Sequence, residues 1–175
     1  MKIATLTAIA ALLNAPTLAL AGDDWNGFYA GLHFGASDAD LTSGTAGLSD
    51  HSAVYGLQLG YNHSLADKWV IGAELSYGTA EYKGLGPSKD MDTTRLKLKA
   101  GYDLGPTLVY GILGYANIDL GNTNESGATY GIGVGYKATD SIIFSGELIR
   151  DSFDIKSTGV DADTTSLALG ISYQF

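Results

Sequence analysis

Side chains alternate between apolar and small or polar along most of this chain, with a period of two residues. In residues 69–77, for example, Trp69, Ile71 and Leu75 share one face, whereas Glu74 falls on the other. Successive side chains of a β-strand point to opposite faces, whereas the apolar face of a helix repeats every three to four residues. The pattern therefore predicts β-strands with two chemically different faces.

Eight segments carry this alternation, although the fifth is ambiguous. The segments are residues 28–35, 52–61, 69–77, 94–102, 108–112, 128–136, 142–149 and 165–175. In the fifth, Leu108, Tyr110 and Ile112 are assigned to the apolar outer face, which places Leu113 and Tyr115 on the small-residue face.

The connections between these segments alternate in length. Short turns are expected at residues 66–68, 103–106 and 139–141, and long polar loops at residues 36–51, 82–90, 117–127 and 154–161. Short turns at one end and long loops at the other, joining strands of about ten residues, are typical of outer-membrane barrels. The predicted fold class is all-β: a single eight-stranded antiparallel, up-and-down transmembrane β-barrel with both termini in the periplasm.

The distribution of bulky side chains between the two strand faces indicates which face contacts lipid. A soluble cup of eight strands would need an apolar lumen and a polar outer surface. Here bulky apolar residues occupy one face, and half of the 24 glycines lie on the other face with most of the charges. The interior of an eight-stranded barrel is narrow. The small-residue face is therefore predicted to line the lumen and the bulky face to contact lipid.

Aromatic residues on the outer face are predicted to form two belts at the lipid–water boundaries. The belt near the short turns comprises Phe28, Tyr61, Trp69, Tyr102, Tyr110, Tyr136, Phe144, Tyr173 and Phe175. The belt near the long loops comprises Phe34, Tyr55, Tyr77 and Tyr130.

Six charged residues are predicted to form a charge network in the lumen. They are Glu74, Arg95, Lys97, Lys99, Lys137 and Glu147. Such a set could line a conduit or a proton relay, or it could plug the lumen with ion pairs. Unpaired buried charges are very costly, and an eight-stranded lumen is barely wider than its side chains. We therefore favour the plug, with Glu74 paired to a cation of the neighbouring strand.

Residues 1–21 are predicted to be a cleaved secretory signal peptide. Lys2 precedes a short apolar run, and Ala19-Leu20-Ala21 forms a typical cleavage site, with the cut between Ala21 and Gly22. The apolar run is too short for a transmembrane helix and is interrupted by Asn14 and Pro16. The expected barrel domain is 22–175, and its 154 residues suffice for eight strands, with nothing left for a second domain.

Composition excludes several kinds of chemistry. The chain has no Cys, which excludes disulfides, Cys-ligated metals and a thiol nucleophile, and its net charge of −9 argues against nucleic acid. His51-Ser52 and His63-Ser64 are adjacent pairs whose members point to opposite faces, and His33 has Gly31 and Gly35 two residues away, so the His and Ser pairing that a lipid-directed hydrolase would need is not recognisable. The glycines of 131–137 alternate within a strand and predict lumen space, not a phosphate loop. No enzyme, cofactor or metal site is expected.

The Asp pairs of two long loops fit a cation site poorly. Asp38 with Asp40, and Asp161 with Asp163, could contribute to binding a divalent cation, but neither pair belongs to a complete calcium-binding loop. Solvated loop residues are the favoured interpretation.

Three short motifs resemble the small opacity-type outer-membrane barrels, a group that includes the OmpA transmembrane domain and OmpX-like proteins. The motifs are the opening strand 25–31, the Glu-containing segment 147–153 and the last six residues, 170–175, which end in Tyr173-Gln174-Phe175. The terminal motif is similar to the signal recognised by the barrel assembly machinery. The resemblance implies residence in the outer membrane of a Gram-negative bacterium. The peptidoglycan-binding function of OmpA is not implied, because no sequence remains for that domain.

The sequence thus predicts a small integral outer-membrane protein with a structural, envelope-integrity role. A low-conductance porin-like channel and a surface adhesin acting through the long loops are the alternatives. Expected partners are outer-membrane lipid, lipopolysaccharide and the assembly machinery. The protein is expected to be a monomer.

Overall fold

A computed structural model of the chain shows a closed antiparallel barrel. It describes residues 25–43, 46–82, 89–119, 124–155 and 160–175, and the side chains of residues 38–51, 80–91, 120–124 and 154–162 are not described. Within these ranges eight strands pair in sequence order, and the last pairs with the first. The eight-stranded, up-and-down all-β prediction is confirmed.

The strands are longer than the alternation alone indicated. They are β1 (Gly27–Ser43), β2 (Ala46–Ser64), β3 (Trp69–Tyr82), β4 (Lys89–Asp103), β5 (Thr107–Asp119), β6 (Asn124–Lys137), β7 (Ile142–Ile155) and β8 (Val160–Gln174). A single turn of 3-10 helix, Ala66–Lys68, links β2 to β3. Among the residues described, no helix is long and apolar enough to cross a membrane.

Closure satisfies the backbone of every strand along most of its length. The seam between β1 and β8 runs from Tyr29 opposite Gln174 to Thr42 opposite Asp161. A closed sheet has no free edge, so its N–H and C=O groups pair without water. The end that carries turns 65–68, 104–106 and 138–141 is called the short-turn end, and the opposite end the hairpin end.

The predicted long loops are mostly strand. Residues 36–51 were expected to form a loop, but β1 and β2 pair as far as Ser43 opposite Ala46. Likewise β3 and β4 pair as far as Tyr82 opposite Lys89. These stretches are polar on both faces, so their strand character leaves no period-two signal. The barrel wall therefore extends further at the hairpin end than expected.

The face assigned to β5 was wrong. Tyr110 is only 6% exposed and points into the lumen with Leu108 and Ile112, whereas Leu113 and Tyr115 face outwards. Both faces of this strand are apolar, so hydrophobicity could not distinguish them. The physical reason is that the lumen near the short-turn end holds a small apolar cluster, to which Leu108 and Tyr110 belong.

Candidate functional site

Two acids and two lysines form a closed ring of ion pairs in the middle of the lumen. Lys97 and Lys99 lie two residues apart on β4 and therefore point the same way. Each lysine contacts both Glu74 of β3 and Glu147 of β7. The Lys97 Nζ lies 2.6 Å from Glu147 Oε2 and pairs with Glu74 Oε1, and the Lys99 Nζ lies 2.5 Å from Glu74 Oε2 and 2.8 Å from Glu147 Oε1. We call these four residues the lumen ring.

The lumen ring is electrically balanced and almost dry. Its two carboxylates offset its two ammonium groups, and the four side chains are at most 10% exposed. Charges removed from water are tolerable only when they are paired and their remaining polar atoms are hydrogen-bonded. The alternating arrangement meets this condition because each charge touches two of opposite sign.

Two tyrosines supply further hydrogen bonds to the lumen ring. The Tyr29 hydroxyl donates to Glu74 Oε2 at 2.7 Å, and the Tyr110 hydroxyl donates to Glu147 Oε1 at 2.8 Å. Glycines on neighbouring strands make room for both rings, because a Cβ at Gly60 would overlap Tyr29 and one at Gly133 would overlap Tyr110. The small-residue face of the lumen is thus a packing requirement.

A second ion pair lies in the lumen beside the ring. Arg95 of β4 donates from Nε and Nη2 to both carboxylate oxygens of Asp151 on β7, the shortest contact being 2.6 Å. The Thr129 hydroxyl donates to the same carboxylate at 2.5 Å. Asp151 is 1% exposed and was missed from the sequence. Asp151 lies four residues after Glu147 and therefore on the same strand face. That spacing is the sequence signal that identifies Asp151 as a lumen residue.

Trp25 closes the lumen at the short-turn end. Its ring is 1% exposed and packs with Leu108 and Ile143, and its indole N–H donates to the Gly105 carbonyl at 3.2 Å. The Lys137 ammonium lies over this ring, 5.3 Å from its centroid. Lys137 therefore points inwards, as expected, but it contacts Trp25 and does not take part in the lumen ring.

Two small cavities flank the lumen ring. One, of about 20 Å³, is bounded by His33, Arg95 and Lys97, and the other, of about 30 Å³, lies between Trp25 and Lys99. A cavity of about 10–15 Å³ holds a single water molecule. Each space therefore accommodates one or two waters, and the ring separates the two.

The outer surface carries the two aromatic belts with one change of membership. Phe28, Tyr61, Trp69, Tyr102, Tyr136, Phe144 and Tyr173 are all at least 40% exposed, and Phe175 is partly exposed. Tyr110 is absent from the belt near the short turns. Ring pairs within that belt, such as Trp69 against Tyr102 with centroids 5.7 Å apart, link adjacent strands. The other belt holds Phe34, Tyr55, Tyr77 and Tyr130, as expected, and gains Tyr115.

Some predicted positions fall outside the described part of the chain. These include the cleavage site at Ala21 and Gly22, and the side chains of Asp38, Asp40 and Asp161. Within the described residues, no three His, Asp or Glu side chains come together in a way that could hold a metal ion.

A closed antiparallel barrel with an apolar outer band, two aromatic belts and a polar interior defines an integral outer-membrane β-barrel protein. Residues 5–175 match the family described as outer membrane protein beta-barrel domain, and the chain belongs to that family. It is also similar to the 25 kDa outer-membrane immunogenic protein of Brucella ovis, with 30% identity covering 86% of this chain and 78% of the relative. The protein is thus located in a Gram-negative outer membrane.

Solved structures show the same fold at low sequence identity. The N-terminal β-barrel domain of Pseudomonas aeruginosa OprF matches with a TM-score of 0.54 and 19% identity, covering 83% of this chain and 97% of that chain. Ail, the attachment invasion locus protein of Yersinia pestis, matches with a TM-score of 0.52 and 14% identity, covering 84% and 99%. At these identities the likeness concerns the fold alone.

Proposed function

We propose that this protein is a structural component of the outer membrane whose lumen is closed to ions. The observation that carries the proposal is the lumen ring, in which Lys97 and Lys99 each join Glu74 to Glu147 across the interior. An ion crossing the barrel would have to separate these paired charges in a nearly dry space. That separation costs several kcal/mol per uncompensated charge.

The other side chains of the lumen add independent barriers. The Arg95–Asp151 pair occupies the lumen beside the ring, and Trp25 seals the short-turn end. An ion that crosses the barrel would therefore require three separate rearrangements of side chains. This arrangement favours a structural role over the alternative of a low-conductance channel.

Planar-bilayer recording on the purified protein tests the proposal. The wild-type barrel should show no steady single-channel current. Lys97→Ala/Glu147→Ala, combined with Arg95→Ala/Asp151→Ala and Trp25→Ala, keeps the net charge but removes side chains from all three barriers, and we expect this variant to conduct. Steady conductance of the wild type would show that the lumen is a channel and would overturn the proposal.

The matched control removes an ion pair that lies outside the lumen. Arg150 donates to Asp163 at 2.7 Å on the outer surface near the hairpin end, where the two side chains are 50% and 36% exposed. Arg150→Ala/Asp163→Ala deletes one positive and one negative charge and should leave the barrel non-conducting. A current from this control would show that the effect is not specific to the lumen.

The proposed role is also non-enzymatic. His33 is 8% exposed and faces the lumen, whereas His63 faces the opposite side of the wall. His33 therefore has no access to membrane lipid, and Ser64, the residue after His63, points to the other face of the wall. A hydrolase assay on lipopolysaccharide and phospholipid should give the same rates with and without the protein, and any excess release of fatty acid would contradict this part of the proposal.

We further propose that the assembly machinery recognises the end of β8. Tyr173 faces outwards and stacks edge-on against Phe175, with centroids 5.3 Å apart. Deleting Phe175 should reduce the amount of barrel inserted in cells without preventing refolding into detergent in vitro. Unchanged insertion would exclude this role. The remaining expectations, contact with lipopolysaccharide and a monomeric state, stay proposals.

A further inference from the structure

An apolar groove of about 670 Å³ crosses the outer surface from Trp69 of β3 to Leu167 of β8. It starts at Trp69 and Tyr102 of the short-turn belt and reaches Val134 and Leu148 near the middle of the wall. Surface pockets that hold small molecules measure about 300–1,000 Å³. This groove is open on its outer side, so it has room for a hydrocarbon chain that lies along the wall but does not enclose it.

Two adjacent positions without bulk form the centre of the groove floor, and the outward-facing Gly146 of β7 also lines it. Ala100 and Gly111 lie directly opposite each other in the β4–β5 register. A Cβ added at Gly111 would meet nothing nearer than the Ala100 carbonyl oxygen, at 3.9 Å. This differs from Gly133, where a Cβ would overlap the Tyr110 ring. Packing inside the barrel does not require a glycine at position 111. The lack of a side chain at Gly111 therefore changes only the outer surface.

The groove is continuous with the surface that already contacts lipid. The outward side chains that line it are hydrocarbon or aromatic, so they offer no partner to a charged or hydrogen-bonding group in the middle of the membrane. At the short-turn end the Trp69–Tyr102 pair provides amphipathic rings of the kind found at headgroup depth. Lys68, exposed and adjacent to Trp69 in the chain, adds a cation at that end.

We propose that this groove retains an acyl chain of a phospholipid from the leaflet that meets the short-turn end. The chain would lie over Ala100 and Gly111, and the phosphate would lie near the Trp69–Tyr102 rim, within the field of Lys68. A second barrel is a poorer occupant, because a broad convex wall fits a groove less closely than a single hydrocarbon chain does. The site is independent of the closed lumen.

Native mass spectrometry of the detergent-solubilised protein tests the proposal, with phosphatidylethanolamine as the probe. The wild type should retain a single phospholipid through delipidation and rebind it on titration. Gly111→Leu fills the floor and should weaken retention on the order of tenfold, because it displaces about two buried methylene groups. Ala100→Leu should have the same effect and serves if Gly111→Leu does not fold.

The matched control is Ala30→Leu, which adds the same bulk to an outward-facing position on β1, outside the groove lining. It should retain phospholipid as the wild type does. Equal retention by wild type and both floor variants would overturn the proposal. It would also be overturned if lipopolysaccharide replaced phospholipid as the retained species, or if a dimer that depends on Gly111 accounted for the groove.

Discussion

Lys97 on β4 pairs with Glu147 on β7 across the lumen, with 2.6 Å between Nζ and Oε2. The two residues are 50 positions apart in the chain. Neither strand is a neighbour of the other in the sheet. The contact therefore links opposite walls, and the stability of the barrel should depend on it.

Glu147→Gln should lower the free energy of unfolding by about 3–5 kcal/mol, because it leaves Lys97 and Lys99 with one carboxylate in a buried site. Urea unfolding of the protein in lipid vesicles measures this change. Asp140→Asn removes the same charge from an exposed turn and should alter stability by less than about 0.5 kcal/mol. Equal effects of the two variants would contradict a stabilising role for the lumen ring.

Arg95→Lys should also destabilise the barrel. The guanidinium binds Asp151 through two nitrogens, and a lysine ammonium cannot reproduce that geometry. We expect a loss of about 1–3 kcal/mol, the range for hydrogen bonds of buried charged groups. Arg150→Lys, at the exposed pair with Asp163, is the matched substitution and should cost at most about 1 kcal/mol. Unfolding curves that rank the two variants the other way round would refute the prediction.

Tyr110→Phe tests the corrected face of β5. The variant loses the hydroxyl that donates to Glu147, so the free energy of unfolding should fall by about 1.5–3 kcal/mol. Tyr115→Phe removes a hydroxyl from the outer surface of the same strand and should have little effect. If Tyr115→Phe were the more damaging of the two, the assignment of the two faces would be reversed.

The two tryptophans should respond differently to quenchers dissolved in lipid. Trp69 is 51% exposed on the outer surface, whereas Trp25 is enclosed in the lumen. In vesicles that contain brominated phospholipid, fluorescence of the Trp25→Phe variant should be strongly quenched and that of Trp69→Phe should be nearly unaffected. Comparable quenching of both variants would show that Trp25 is not inside the barrel.

Cleavage of the signal peptide can be read from the mass of the exported protein. Protein isolated from outer membranes should begin at Gly22, because the signal peptidase requires the small residues Ala19 and Ala21. Ala21→Leu should block processing and leave the longer species. Intact-mass measurement of both proteins distinguishes the two forms, and full-length wild-type protein in the outer membrane would show that the segment is retained.

Sequence reasoning succeeded where the two faces of a strand differ chemically. On β3 and β4, bulky residues alternate with Glu74, Lys97 and Lys99, and the side of each residue followed directly. It failed on β5, where Tyr110 and Tyr115 lie on opposite faces and both faces are apolar. Strand alternation assigns a residue to a face, but it cannot tell which of two apolar faces lines the lumen.

Contacts across the lumen could also not be predicted from local sequence patterns. The pairing of Glu74 with Lys97 could be anticipated because the two strands are consecutive. The pairing of Arg95 with Asp151 depends on how eight strands close and stagger, which no short segment of sequence determines.

The lumen ring has a consequence for the order in which the barrel is built. Both lysines come from β4 and one carboxylate from β3, so the β3–β4 hairpin alone carries an excess positive charge on its inner face. With Arg95 included the excess is two positive charges, and Glu147 and Asp151, both on β7, cancel it. A barrel in which β7 has not yet paired therefore has an uncompensated positive interior, and the charges of these six residues balance only when β7, the strand before the closing one, is in place.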